Sequence, residues 1–206
     1  MTLRVTLCFL GLSLALASSE LRAGKFNPDK NIGDVVPAWN DLPATDGKRY
    51  SLKDFDSKDV LVVVFTCNSC PYAVDYEERI NELAKKHSSS ESRVGLVAIN
   101  VNKIEADLMP AMTQRAKERG FVFPYLFDET QQIAKDFGAG RTPEVFVLNK
   151  DRKIVYMGSL DDNAMASKAK IPYAALAIEA TLAGKSIEVE ETAPIGCAIR
   201  FVRQRK

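Results

Sequence analysis

Residues 60–66 (VLVVVFT), followed at once by Cys67-Asn68-Ser69-Cys70-Pro71, limit the folds open to this chain more than any other feature. A continuous run of β-branched and aromatic residues reads as a strand buried on both faces, of the kind that sits mid-sheet under helices. Residues 71–87 then place Tyr76, Ile80, Leu83 and Ala84 at helical spacing with charges on the other faces, the pattern of an amphipathic helix. Cys67 and Cys70 therefore fall where a buried strand gives way to a helix. A helix N-terminus exposes unpaired N–H groups and carries roughly half a positive charge. Both favour thiolate over thiol. Cys67 is expected to be the more exposed sulfur and to attack a partner disulfide. Cys70, one turn on, then attacks the mixed disulfide and releases the reduced partner. Two intervening residues bring the sulfurs close enough to close a disulfide between them.

The rest of the chain alternates in the same way. Two short strands, 39–42 and 49–52, flank the turn Asp46-Gly47, with a helical turn over 51–55. Strands follow at 94–101 and 125–127, with helices at 110–119, 130–137 and 172–183. Pro110 opens its helix, and Gly120 and Gly138 mark stops. The strands 145–148 and 154–157 are joined by only a few residues, so they must be antiparallel. The expected architecture is a layered α/β domain: a central mixed β-sheet flanked by helices, with an N-terminal strand extension.

Residues 1–19 have a basic start (Arg4), a short apolar run and small residues after it, the pattern of a secretory signal peptide. The run is shorter than the roughly 20 residues that span a bilayer. Residues 20–31 read as a polar leader that packs poorly, 32–184 as the folded domain and 185–206 as a tail carrying Cys197. Export implies a periplasmic or secreted location, without stable membrane association once the signal is cleaved. A formal net charge of +1 supplies no global field to recruit nucleic acid.

Of the four cysteines, Cys8 lies in the signal segment, which leaves Cys67, Cys70 and Cys197. An odd number in an oxidising compartment leaves one unpaired or transiently paired. A zinc site on Cys67 and Cys70 would need two more ligands. The single histidine, His87, lies a helix length away, roughly 25 Å at 1.5 Å per residue. No metal and no cofactor is expected. If the tail folds back, Cys197 could exchange with Cys67 or Cys70; otherwise it is a small buried residue under the tail. Asp75, Glu77 and Glu78 stand near the cysteines, where a solvated helix face competes with a proton-transfer role.

The segment Phe65-Thr66-Cys67-Asn68-Ser69-Cys70-Pro71-Tyr72 resembles the active-site segment of thioredoxin-like proteins, and Thr142-Pro143 resembles their cis-proline loop. More narrowly, the chain is similar to a peroxiredoxin-like branch of the redoxins. That branch shares CNxCPY, the helix segment YEERI, Phe123-Pro124-Tyr125-Leu126, Asp128-Glu129-Thr130-Gln131 and Gly196-Cys197. The resemblance implies a thioredoxin-like fold, attack by Cys67 and resolution by Cys70. It implies that Pro143 packs against the disulfide while the Thr142 backbone pairs with a bound protein substrate. Thr66 stands where thioredoxins carry Trp, and Leu61 where they carry a buried acid. Val63 and Cys67 occupy the positions of the Pro and Thr that precede a peroxidatic cysteine in true peroxiredoxins. The functional expectation is disulfide exchange with protein dithiol or disulfide partners. The competitors are a thiol peroxidase and a non-enzymatic thioredoxin-fold binding module.

Overall fold

The computed structural model describes residues 24–202; the expected signal peptide lies outside them. After a short antiparallel pair, β1 (Leu42–Pro43) and β2 (Arg49–Tyr50), the main sheet begins with β3 (Val60–Phe65). Every residue of β3 is fully buried, as expected of a strand with neighbours on both edges and layers on both faces. The chain continues through α1 (Pro71–Lys86), β4 (Val94–Asn100), α2 (Met109–Arg119) and β5 (Tyr125–Phe127). It then runs through α3 (Gln132–Phe137), β6 (Arg141–Thr142), β7 (Glu144–Leu148), β8 (Ile154–Gly158) and α4 (Tyr173–Leu182), and ends in β9 (Cys197–Ala198).

The five-stranded sheet has the order β5-β4-β3-β7-β8. β3, β4 and β5 are parallel; β7 and β8 are antiparallel to their neighbours. The expected mixed sheet is thus observed. Alternation along β3 sorts the core. Leu61, Val63 and Phe65 point to a face covered by Trp39, Phe55 and α3, where the rings of Phe65, Phe137 and Phe146 meet edge to face with centroids 5.2–5.7 Å apart. Val60, Val62 and Val64 point to the other face, covered by α1, α2 and α4 through Tyr76, Ile80, Met112 and Ile178.

Two local expectations shift. The first hairpin strand starts at Leu42 rather than at Trp39, because Asp41 adopts a left-handed φ of 56° that breaks extended pairing; Trp39 is instead a buried core side chain. The polar leader is not loosely packed from residue 24 onward. The Glu191 carboxylate accepts the N–H groups of Lys25, Phe26 and Asn27, and the buried Asn27 amide donates to the Phe137 carbonyl at 2.9 Å. Polar residues pack here because another chain segment satisfies their backbone donors.

Candidate active site

Cys70 is the N-cap of α1, with Pro71 in the first turn. The helix mouth therefore belongs to Cys70, and Cys67 lies in the loop before it. Neither sulfur is the exposed one: Cys67 is 2% and Cys70 3% accessible, whereas Asn68 and Ser69 between them are half-buried. The expectation that Cys67 is the more exposed sulfur is corrected: both are sealed alike. Two other chain segments cover them.

The first cover is the loop into β7. Thr142-Pro143 is cis, and both residues are buried. The Thr142 hydroxyl lies 3.4 Å from Cys67 Sγ, and the Thr142 carbonyl oxygen lies 3.0 Å from Cys70 Sγ. Thr142, Pro143, Cys67 and Cys70 are thus brought together as the two motifs imply. The second cover is the tail. β9 pairs antiparallel with β6, setting Cys197 opposite Thr142 and Ala198 opposite Arg141. Cys197 packs on Cys67, Cys70 and Ala73. The backbone edge of Thr142 that a substrate strand was expected to use is therefore already occupied by the chain's own tail.

Below the loop stands a residue that the sequence did not single out. Asp107, fully buried, accepts the N–H groups of Asn68 (2.8 Å) and Ser69 (2.9 Å), the Ser69 hydroxyl (2.6 Å) and the Asn102 amide (3.1 Å). One carboxylate so holds the turn between the two cysteines. Tyr125 completes this wall by donating its hydroxyl to Asn68 Oδ1 at 3.2 Å; burial pushes the phenol well up, so it stays a neutral donor. The acids suggested on α1 do not take this place. Glu77 is buried but bonded to Arg115 at 2.8 and 2.9 Å.

The reduced cysteines shift each other's ionisation in opposite directions. The neighbouring Cys70 sulfur, burial and the charge of Asp107 hold the Cys67 thiol far above its ordinary range. The Cys67 thiol in turn draws Cys70 down, helped against burial by the nearby Cys197 and the N–H group of Ala73. The Thr142 carbonyl pulls the other way, since at 3.0 Å it suits a protonated Cys70. Cys70, at the helix N-cap, is nonetheless the sulfur whose thiol is drawn down, and Cys67 the one pushed up. Among the described residues no cluster of His, Cys, Asp or Glu is arranged to hold a metal ion. His87 caps the opposite end of α1.

Comparison with known proteins places this arrangement. Residues 31–171 match the family described as Redoxin. The chain is a redoxin. Its fold is thioredoxin-like, and it belongs to the branch that also resembles peroxiredoxins. This redoxin is 31% identical to an uncharacterized conserved protein of Geobacillus kaustophilus whose crystal structure superposes with a TM-score of 0.78, covering 85% of this chain and 94% of that one. It is 30% identical over 112 residues to a thiol-disulfide oxidoreductase, ResA, of Bacillus anthracis, covering 53% of this chain and 60% of that relative's length. The crystal structure of a peroxidoxin, BcpB, from Mycobacterium tuberculosis superposes with a TM-score of 0.56 at 25% identity, over 75% of this chain and 98% of that one. Relatives named for both chemistries place this redoxin in a thiol-redox family.

Proposed function

We propose that this redoxin is an exported thiol–disulfide oxidoreductase that exchanges disulfides with protein partners through Cys67 and Cys70. One observation carries the reading: the two reduced cysteines pack together, buried, against the cis Thr142-Pro143 loop, with the Thr142 hydroxyl 3.4 Å from Cys67 Sγ and its carbonyl oxygen 3.0 Å from Cys70 Sγ. The Cys70 thiolate takes the proton of Cys67 as the Cys67 sulfur attacks the partner disulfide. One partner sulfur leaves as thiolate and recovers that proton from Cys70. The Cys70 thiolate then attacks Cys67 Sγ, closing the Cys67–Cys70 disulfide and expelling the second partner sulfur as thiolate. Charge is conserved throughout, and the two electrons pass from the dithiol to the partner. Pro143 walls the sulfurs, and the Thr142 backbone is the edge on which a partner strand docks, once the tail has moved aside.

Export rests on residues 1–19 and leads to the periplasm or the outside of the cell. Among the described residues no helix is long and apolar enough to cross a membrane. The test is Cys67→Ser in an insulin-reduction assay, where activity is expected to vanish. Undiminished activity removes the proposal. The potential of the couple then assigns direction, about −270 mV for a reductant and about −120 mV for an oxidant.

A second reading, thiol peroxidase, is favoured by one observation: Cys70 rather than Cys67 sits at the N-cap of α1, where the helix N-terminus favours a thiolate. Peroxide would then oxidise Cys70 to a sulfenic acid, which Cys67 condenses with to give the same disulfide and water. Stopped-flow mixing with hydrogen peroxide separates the two readings: slow, unsaturable oxidation rules out the peroxidase.

A further inference from the structure

The tail is fastened over the cysteines from Gly196 to Val202. Arg141 donates from its guanidinium to the Gly196 carbonyl at 2.8 Å, and Ile199 N–H donates to the Gly140 carbonyl at 2.9 Å. Ile199 is buried in the same core as Phe65 and Phe137. Beyond it, Arg200 N–H donates to Asn102 Oδ1 at 3.0 Å, while the Gln131 amide spans the Val101 and Arg200 carbonyls and accepts Val202 N–H at 2.8 Å. Gly196 allows the closest approach: a Cβ there would fall 2.2 Å from the Thr142 carbonyl oxygen. Only a residue without one brings the next side chain onto the sulfurs. That next residue is Cys197. It packs against the cluster of Cys67, Cys70 and Ala73, where β9 meets α1. The tail thus sits as an antiparallel strand on the residue before Pro143, with its own cysteine directed at the helix mouth.

We propose that Cys197 is a third redox cysteine, carried on a tethered strand that fills the substrate edge, and that it exchanges with the Cys67–Cys70 disulfide to form a Cys70–Cys197 disulfide. The inference rests on the dithiol reading above. In the step, the Cys197 thiolate attacks Cys70 Sγ, the Cys67–Cys70 bond breaks, and Cys67 leaves as thiolate and takes up the proton Cys197 has lost. One disulfide replaces another, so neither oxidant nor reductant is consumed. Cys70 is the sulfur attacked because it caps α1, the helix against which β9 packs, in the cluster that Cys197 covers. The product pins β9 covalently to the N-terminus of α1 and so holds it in place along β6. The Thr142 edge is then closed to partners until a dithiol reductant opens it.

The experiment reads the bond without any partner protein. The reduced full chain is treated with one equivalent of diamide, quenched in acid, blocked with N-ethylmaleimide under denaturant and digested with trypsin without reduction. The tryptic peptide 59–79 holds Cys67 and Cys70, and 186–200 holds Cys197. Expected is a cross-linked pair of these peptides carrying maleimide on Cys67, lost in Cys197→Ser and in Cys70→Ser. In Cys67→Ser the pair persists, formed by direct oxidation of Cys70 and Cys197. An internal disulfide in 59–79, with 186–200 fully labelled by maleimide, overturns the role of Cys197 and leaves the dithiol reading standing. A chain that forms neither disulfide overturns both.

Discussion

Replacing Asp107 by Asn tests whether one buried carboxylate holds the turn between the cysteines. The carboxylate accepts four hydrogen bonds, two of them from backbone N–H groups. A carboxamide has the same shape but a single acceptor oxygen. If that oxygen keeps Asn68 and Ser69 N–H, the new NH2 group faces the Ser69 hydroxyl and the Asn102 amide. The hydroxyl can turn and accept. The Asn102 amide nitrogen cannot, and is left a donor without an acceptor. Bonds to a charged group contribute about 1.5–3 kcal/mol each, against about 1 for neutral ones. One lost bond and the weakening of the others, less the relief of a buried charge, give an expected destabilisation of roughly 2–4 kcal/mol. At a slope of about 2 kcal/mol per molar urea, the unfolding midpoint falls by about 1–2 M. The same change removes an anion that holds Cys67 up. The alkylation of Cys67 by iodoacetamide should therefore rise at lower pH than in the parent chain. A midpoint unchanged within about 0.2 M urea, together with an unmoved alkylation profile, refutes the reasoning.

Two further outcomes follow from buried groups around the same loop. Glu144 is 4% accessible, and burial pushes its carboxyl from 4.5 up to about 7 although it accepts Gly140 and Arg141 N–H. The folded chain then holds a proton that the unfolded chain has shed, so stability is lost as pH rises between those values; Glu144→Gln should gain up to about 3 kcal/mol over the parent in urea titrations at pH 8 and almost nothing at pH 4, and a gain equal at both pH values contradicts this. Gln131→Ala removes the side chain that ties Val101, Arg200 and Val202 together; at about 1 kcal/mol per net hydrogen bond, iodoacetamide should label Cys197 at least tenfold faster in the reduced variant, and an unchanged rate means the tail is held elsewhere.

The parts legible in the sequence are those with a local period. β3 and α1 announce themselves by a continuous apolar run and by residues at helical spacing, so the placing of Cys67 and Cys70 between them follows without tertiary information. Thr142-Pro143 is legible only through resemblance, because one dipeptide has no period. The two-residue strands β6 and β9 carry none either; their pairing depends on Ile199 finding the core and on Gly196 fitting against Thr142. Asp107 looks like any acid in a polar loop. What distinguishes it is the set of donors that the fold brings to it from Asn68, Ser69 and Asn102. The burial of Cys67 escapes the sequence for the same reason: the local sequence places a sulfur after a strand, while segments far along the chain decide what covers it.

Cys197 comes later in the chain than every other part of the site. A polypeptide growing from its N-terminus completes β3, α1 and the Thr142 loop before β9 exists, and domains tend to fold in that order. During that interval a nascent chain carries its two sulfurs with one wall missing, open to whatever disulfide drifts past. The last strand to emerge puts that wall in place, so how quickly it docks decides how long the unfinished protein can react with the wrong company.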